Sequence, residues 1–209
     1  MYNSSLFQTS KTTKQRAEQL DTVTSYFASL MQMKSPALYE HAQRVASYSA
    51  ATAVYMRLSS NEVTLIRYAG FLHDIGLLCV PSKVLAKSPY LSRRELSLYK
   101  KHPDLAANML EAVPGMEELI PYIRFHHERW DGTGYPKHLK NVNIPLGARI
   151  VAVGSYYDSV IYASPDFKTR SSEDVIKDIF AVSGSLFDPD VINAFIKVLL
   201  HSRDISIKK

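Results

Sequence analysis

The chain has 209 residues, 46% of them hydrophobic and 22% charged, which is enough apolar material for one real core and too much for a disordered chain. A single cysteine, Cys79, rules out a disulfide framework and suits a reducing cytoplasm; its apolar neighbours predict a buried structural thiol. The polar N-terminus lacks the apolar core of a signal peptide, and no apolar run approaches the roughly 18–20 residues of a membrane span. A formal charge of +5 fits an ordinary solvated surface as well as a preference for phosphate-bearing ligands, and identifies no ligand by itself.

The Ser- and Thr-rich start is expected to fray. From Lys14 onward Leu20, Val23, Phe27, Leu30 and Met31 recur at helical spacing, and Pro36 interrupts the pattern. A second helix is predicted from Leu38 to Arg57, with Val45, Tyr48, Ala51 and Tyr55 on one face. Ser59 and Glu62 have capping-box spacing and open a third helix through Leu65, Ile66, Ala69 and Leu72, which Gly76 is placed to end. Pro81 to Pro89 reads as a connection. Ser92 and Glu95 form a second capping box before a helical stretch from Leu96 to Leu110, which Pro103 should kink or restart. Further helices are predicted over Met116–His127, Leu146–Ala163 and Ser172–Val182, and Asp188-Pro189 suits the N-cap and first residue of a last helix through Leu200. Short apolar runs such as Ile150–Val153 fit either helix or strand, but no segment alternates for long. The expectation is an all-α protein, a single helical bundle.

The chemistry-bearing residues are histidines: His41, His73, His102, His126, His127, His138 and His201. His73-Asp74 follows an apolar helical run, and His126-His127-Glu128 leads into Arg129-Trp130-Asp131-Gly132-Thr133-Gly134-Tyr135-Pro136. Neutral imidazoles with carboxylates are ligands for Fe, Mn or Zn, and a carboxylate can bridge two ions through its two oxygens. Two such ions bind a phosphate ester, activate water and offset charge on the leaving oxygen. Taken singly, each feature has an ordinary explanation. A His-Asp pair arises by chance, adjacent histidines at a helix end cap or face solvent, and Asp-Gly and Gly-Tyr-Pro mark turns. Their combination, in this order and on separate helices, favours a metal site.

The order is His41 before Arg44-Val45, His73-Asp74-Ile75-Gly76, His102-Pro103, and the string from His126 to Pro136. It continues through Ile144-Pro145, Ala148-Arg149-Ile150, Tyr157-Asp158 and Phe187-Asp188-Pro189. This sequence resembles the HD-GYP domain family, an HD-superfamily group of cyclic di-GMP phosphodiesterases with an all-α bundle fold, over roughly residues 34–197. The resemblance implies an N-terminal segment and lead helix over 1–33, an HD-GYP domain over 34–203 and a basic tail over 204–209. It implies two divalent metal ions, Fe or Mn, held by His41, His73, Asp74, His102, His126 and His127, with His73 and Asp74 as the catalytic pair and Asp74 as the bridge. Glu128, Asp131 and Asp158 would stand behind the ligands, orienting histidines or bracing the loop. Gly132, Gly134, Tyr135 and Pro136 would form a loop facing the cyclic dinucleotide and a signalling protein partner. His138 and His201 match nothing and are expected at the surface.

Several positions depart from the family pattern. Leu77 stands where the family has a phosphate-binding Lys, and losing such a group costs about 3–4 kcal/mol of transition-state stabilisation. Ser155 stands where the family has a metal-ligating Asp; Asp158 shares its helix face and could reach a metal only through water. Ser164-Pro165-Asp166-Phe167 replaces an Arg-Pro-Tyr-Arg element, with Lys168 or Arg170 as candidate substitute cations. Ala37 replaces the Glu that serves a third metal, which argues against a third ion. The resemblance thus implies hydrolysis of cyclic di-GMP to pGpG or GMP in bacterial second-messenger signalling, with cyclic GMP-AMP as a related substrate. The departures keep open a catalytically degenerate module that binds a cyclic dinucleotide or a signalling protein. A cytoplasmic protein is expected, without nucleic-acid polymer or membrane as partner; a homodimer is compatible with the sequence.

Overall fold

Helix boundaries in this chain are set by groups that satisfy orphaned backbone atoms or forbid further helix. The computed structural model describes residues 4–87, 90–162 and 172–207, with side chains over 17–87, 90–162 and 173–201. The first helix, α1 (Ser4–Lys34), stops before Ser35, and Pro36 at N1 starts α2 (Pro36–Tyr55) in a new direction. Both capping boxes form: Ser59 and Glu62 open α3 (Ser60–Leu72), and after α4 (Ser82–Leu85), Ser92 and Glu95 open α5 (Arg93–Tyr99). Pro103, in the first turn of α6 (His102–Glu111), makes the expected restart, and Pro121 does the same for α7 (Ile120–Arg124). The remaining helices are α8 (Leu146–Tyr162), α9 (Ser172–Ala181) and α10 (Pro189–Ile207). At the last of these Asp188 Oδ1 accepts from Asp190 N at 2.9 Å. The described residues form no strand, only an isolated bridge between Ser183 and Phe187. The fold is all-α, as expected, and Ile150–Val153 lies inside α8.

Two apolar clusters share α2, α3 and α8. One packs Met31, Val45, Leu72, Ile75, Leu110, Ile123 and Val151; the other packs Ala53, Ile66, Ile150, Val153, Ile179 and Phe195. The three shared helices therefore bury residues on two sides, and each fully buried Ile, Leu or Phe contributes about 1.5–3 kcal/mol. This double burial anchors α2, α3 and α8 in the core, with His41 on the first of them and His73 at the end of the second.

Four expectations need correction. The first helix begins at Ser4, ahead of Lys14, because Ser and Thr lower helix propensity by only a few tenths of a kcal/mol each. The segment Met116–His127 is helical only over Ile120–Arg124; turns occupy 117–119, and the chain leaves helix at Phe125. Cys79 is exposed, since it ends a short 3-10 helix (Ile75–Cys79) whose inward positions are Ile75 and Leu77. Gly76 lies inside that 3-10 helix and does not end α3, which stops at Leu72. The glycine is needed for packing: a Cβ there would sit 2.0 Å from His102 O and 2.8 Å from Ala106 N, both on the backbone of α6. Segment 164–167, with Lys168 and Arg170, lies outside the described residues, as does Pro89. No helix of the described residues is long and apolar enough to cross a membrane.

Gly76→Ala should lower the urea midpoint, with a stability loss of about 1–3 kcal/mol, because α6 must move away from the 3-10 helix. Equilibrium unfolding followed by far-UV circular dichroism checks this; an unchanged midpoint would contradict the contact.

Candidate metal centre

Helix ends bring the histidines together. His73 terminates α3, His102 begins α6, His126 and His127 follow α7, and His41 projects from the second turn of α2. Asp74 is buried among them and presents a different oxygen to each side. Its Oδ2 lies 3.4 Å from His73 Nε2 and 3.7 Å from His41 Nε2. Its Oδ1 lies 3.1 Å from His102 Nε2 and 3.8 Å from His126 Nε2. Two candidate ligand groups result, His41–His73–Asp74 and Asp74–His102–His126–His127, each with its ligand atoms within 4.8 Å of one another.

The opposite ring nitrogens explain the orientation. His73 Nδ1 donates to Gly70 O at 2.8 Å, His102 Nδ1 to Tyr99 O at 2.8 Å and His126 Nδ1 to Ile123 O at 2.6 Å. Each acceptor is a last-turn carbonyl of α3, α5 or α7, three residues before the histidine, so one bond caps a helix and fixes a ring. His41 lies within α2 and has no such carbonyl free; its Nδ1 instead donates to Asp158 Oδ2 at 2.7 Å. Because a carbonyl or carboxylate oxygen only accepts, the proton of each neutral ring sits on Nδ1 and the lone pair on Nε2.

That assignment leaves lone pairs facing each other. His41 Nε2 is 3.3 Å from His73 Nε2, and His102 Nε2 is 3.3 Å from His126 Nε2. Between neutral rings neither contact is a hydrogen bond, and a cation is what would reconcile them. Burial pushes His73 down to about 4 and holds His126 and His127 well below the usual imidazole range. For Asp74 burial opposes ionisation, but the fields of His73 and its neighbours and a bond from His102, which act when those rings are doubly protonated, prevail and hold its carboxyl well below the usual range; with neutral rings a cation must take their part. The donor set is that of a divalent ion site: uncharged imidazole nitrogens around an ionised carboxylate.

The loop after His127 is braced from within. Glu128 Oε1 accepts from Lys137 N at 2.6 Å and Oε2 from Leu139 N at 3.0 Å, while Asp131 Oδ1 accepts from Thr133 N and Oγ1. Of the two roles expected for Glu128 and Asp131, loop bracing is the one their hydrogen bonds support; neither side chain bonds to a ligand ring. Gly134 packs against the backbone of Glu128 and Arg129, where a Cβ would come within 2.3 Å. The loop thus folds back so that the Tyr135 ring stacks on His127, with centroids 4.8 Å apart and planes 17° from parallel. Tyr135 faces the histidine cluster, beside Pro136 across a cis bond, while Gly132 turns with a positive φ. His138 and His201 are exposed, as expected.

The sequence profile of the HD domain matches residues 25–191. The chain belongs to the HD domain family. A Thermotoga maritima protein named cyclic di-GMP phosphodiesterase is 33% identical over 169 residues, covering 80% of this chain and 46% of that protein. The HD domain chain therefore spans about half the length of this curated relative. Two solved structures share the fold. A cyclic GMP-AMP specific phosphodiesterase of Vibrio cholerae has a TM-score of 0.63 at 18% identity, over 86% of this chain and 50% of that one. An HDG"Y"P protein from Bdellovibrio bacteriovorus has a TM-score of 0.63 at 20% identity, over 89% and 64%. The HD-GYP resemblance read from the histidines is thereby borne out.

Two cavities flank the centre of this HD domain. One of about 510 Å³ opens beside His41 and Asp74, and Leu77 lines it; one of about 190 Å³ lies against His126, His127 and Ser155, with Ser159 on the rim of both. Ser155 Oγ is 3.5 Å from His41 Nε2, so a hydroxyl stands at the edge of the candidate centre. Asp158 is committed elsewhere: besides His41 it accepts from Arg44 Nε at 2.6 Å and Nη2 at 3.0 Å. Its carboxyl, although disfavoured by burial, is held below the usual range by His41 and Arg44, and its place is behind His41. Nothing in the sequence around Arg44 marks this pairing, because its partner lies 114 residues away.

Asp158→Asn should weaken divalent ion binding about 10–100-fold, chiefly on the His41 side, by loosening the ring of His41. Metal content per chain after dialysis against graded chelator reads this; wild-type retention would contradict it.

Proposed function

We propose that this HD domain is a metal-dependent phosphodiesterase module that opens cyclic di-GMP to pGpG or GMP, with two Fe or Mn ions astride Asp74. The observation that carries the reading is the facing pairs of Nε2 lone pairs on either side of one buried carboxylate, beside a cavity of about 510 Å³. That volume falls within the range of small-ligand sites, about 300–1,000 Å³. His41, His73 and Asp74 would hold one ion and Asp74, His102, His126 and His127 the other. When bound, the ions would polarise the scissile phosphate and supply an activated water.

The remaining work falls to the protein. Asp74 keeps its negative charge between the two ligand groups. Gly70, Tyr99 and Ile123 carbonyls and Asp158 hold the ring protons on Nδ1, so that the rings need not reorganise when an anion arrives. Leu38, Leu77 and Leu85 give the cavity an apolar wall that excludes water from the bound ligand. The Thermotoga relative's name supports cyclic di-GMP; the Vibrio structure's title makes cyclic GMP-AMP the neighbouring candidate. Both are second messengers of the bacterial cytoplasm, which is where the module would act. The Gly132–Pro136 loop remains the proposed contact for a signalling protein.

A second reading, a module that binds the dinucleotide without cleaving it, is favoured by Ser155 at the edge of the His41 group and by Leu77 in the cavity wall. Both replace charge with neutral groups where phosphate and metal would sit. Protein loaded with Fe(II) or Mn(II) under reducing conditions and given cyclic di-GMP separates the readings. Linear product from wild type, reduced at least about 100-fold in His126→Ala, is the expected outcome. Tight binding without turnover in metal-replete protein would overturn hydrolysis. Leu77→Lys with Ser155→Asp should raise turnover about tenfold or more by restoring charge stabilisation.

A further inference from the structure

The cavity beside His41 and Asp74 is lined by two long cationic side chains, Lys34 and Arg44. Arg44 is already matched: it forks onto Asp158, and its guanidinium lies 4.0 Å from the centre of the Tyr162 ring. Lys34 is in a different position. It is the last residue of α1, and its Nζ donates to Val80 O at 2.9 Å and Leu78 O at 3.4 Å. No carboxylate among the described residues lies within ion-pair distance of it. An ammonium has three donors, and two carbonyls leave one donor and the net charge unspent. Leu38, Leu77 and Leu85 share the wall, so the charge faces a partly apolar space, where an anion gains more than it would in water.

The placement of Lys34 relative to Asp74 is informative. Asp74 immediately precedes the 3-10 helix Ile75–Cys79, whereas the carbonyls that hold Lys34 lie at its far end. Five residues of 3-10 helix span about 10 Å. A cyclic dinucleotide has two phosphodiesters in one ring. With one at Asp74, the other needs a cation elsewhere in the same cavity, and Leu77 offers none.

Resting on the reading of this cavity as a cyclic-dinucleotide site, we infer that Lys34 is the cation that binds the second phosphodiester of the ligand, the one not engaged at Asp74. Lys34 then sets preference for cyclic dinucleotides over compounds with a single phosphodiester. Its attachment to the Leu78 and Val80 carbonyls holds the ammonium in place before the ligand enters.

The test compares kcat/KM for cyclic di-GMP with that for bis(p-nitrophenyl) phosphate, a single phosphodiester, on the full metal-loaded chain. Lys34→Gln keeps a donor for the carbonyls but removes the charge, and Lys34→Arg keeps both. The ratio of the two kcat/KM values should fall about tenfold or more in Lys34→Gln, through KM, and return to within a few-fold in Lys34→Arg. Metal content and thermal midpoint should stay near those of wild type. An unchanged ratio, or equal loss on both substrates, would overturn the inference. If wild type turns over neither compound, binding of cyclic di-GMP decides. Binding about tenfold weaker in Lys34→Gln supports the role of Lys34 while hydrolysis fails; equal binding sinks Lys34 alone, and no binding sinks both.

Discussion

An imidazole that donates to the carbonyl three residues before it does two jobs with one hydrogen bond. It satisfies an orphaned group at a helix terminus, and it turns the other ring nitrogen outward with its lone pair exposed. In this domain the bond occurs at the ends of α3, α5 and α7, through His73, His102 and His126. The consequence is architectural as well as chemical. A helix has to stop where its histidine sits, so the position of the centre is the point where three helices end. Pro103 then restarts the chain directly as α6, and Pro121 opens α7, whose last turn supplies the acceptor for His126. Gly76 lets α6 approach closely enough to deliver His102 to the oxygen of Asp74 that His73 does not face.

Asp74 is the point where the two halves of this arrangement meet. A buried carboxylate is stabilised only by strong pairing, and neutral imidazoles alone are poor partners for it. Four Nε2 atoms around its two oxygens therefore describe a site completed by cations. His41 is the exception that tests the logic. Lying inside α2, it needs an acceptor from outside its own helix, and α8 supplies Asp158, which Arg44 in turn holds. Two neutral residues, Leu77 and Ser155, sit beside that same half of the centre, one in the wall of the larger cavity and one near His41. The His102–His126–His127 half keeps its full donor set. The two halves are thus unequal in donors, two imidazoles against three around the shared carboxylate, and the His41 half is the weaker.

Much of this was legible in the chain itself. The capping pairs Ser59/Glu62 and Ser92/Glu95 and the helix-starting Pro36 and Pro103 act within one turn, so their spacing announces them. The histidine order, combined with the string from His126 to Pro136, named the cluster that the fold then assembled. What escaped was decided at long range. Arg44 and Asp158 meet only because α2 packs on α8, and Lys34 reaches its carbonyls only because α1 lies along the 3-10 helix. Cys79 faces solvent although Ile75, Leu77 and Val80 around it are buried, because it ends a 3-10 helix on its outer side, and a run of apolar letters does not say which side faces solvent. Gly76 looked like a helix stop, and its actual role, contact with α6, involves a residue 26 positions away. The capping role of His73, His102 and His126 was available in principle, from a histidine three residues past a last helical turn.

The claim on which the rest depends is that the two oxygens of Asp74 serve two different metal ions. Anomalous diffraction from crystals of Mn- or Fe-reconstituted protein tests it most directly. The arrangement predicts two peaks, one between Oδ2, His41 and His73 and one between Oδ1, His102, His126 and His127, with the first the less fully occupied. No peak next to Asp74 in fully reconstituted protein, or one ion bound without contact to that carboxylate, would contradict it.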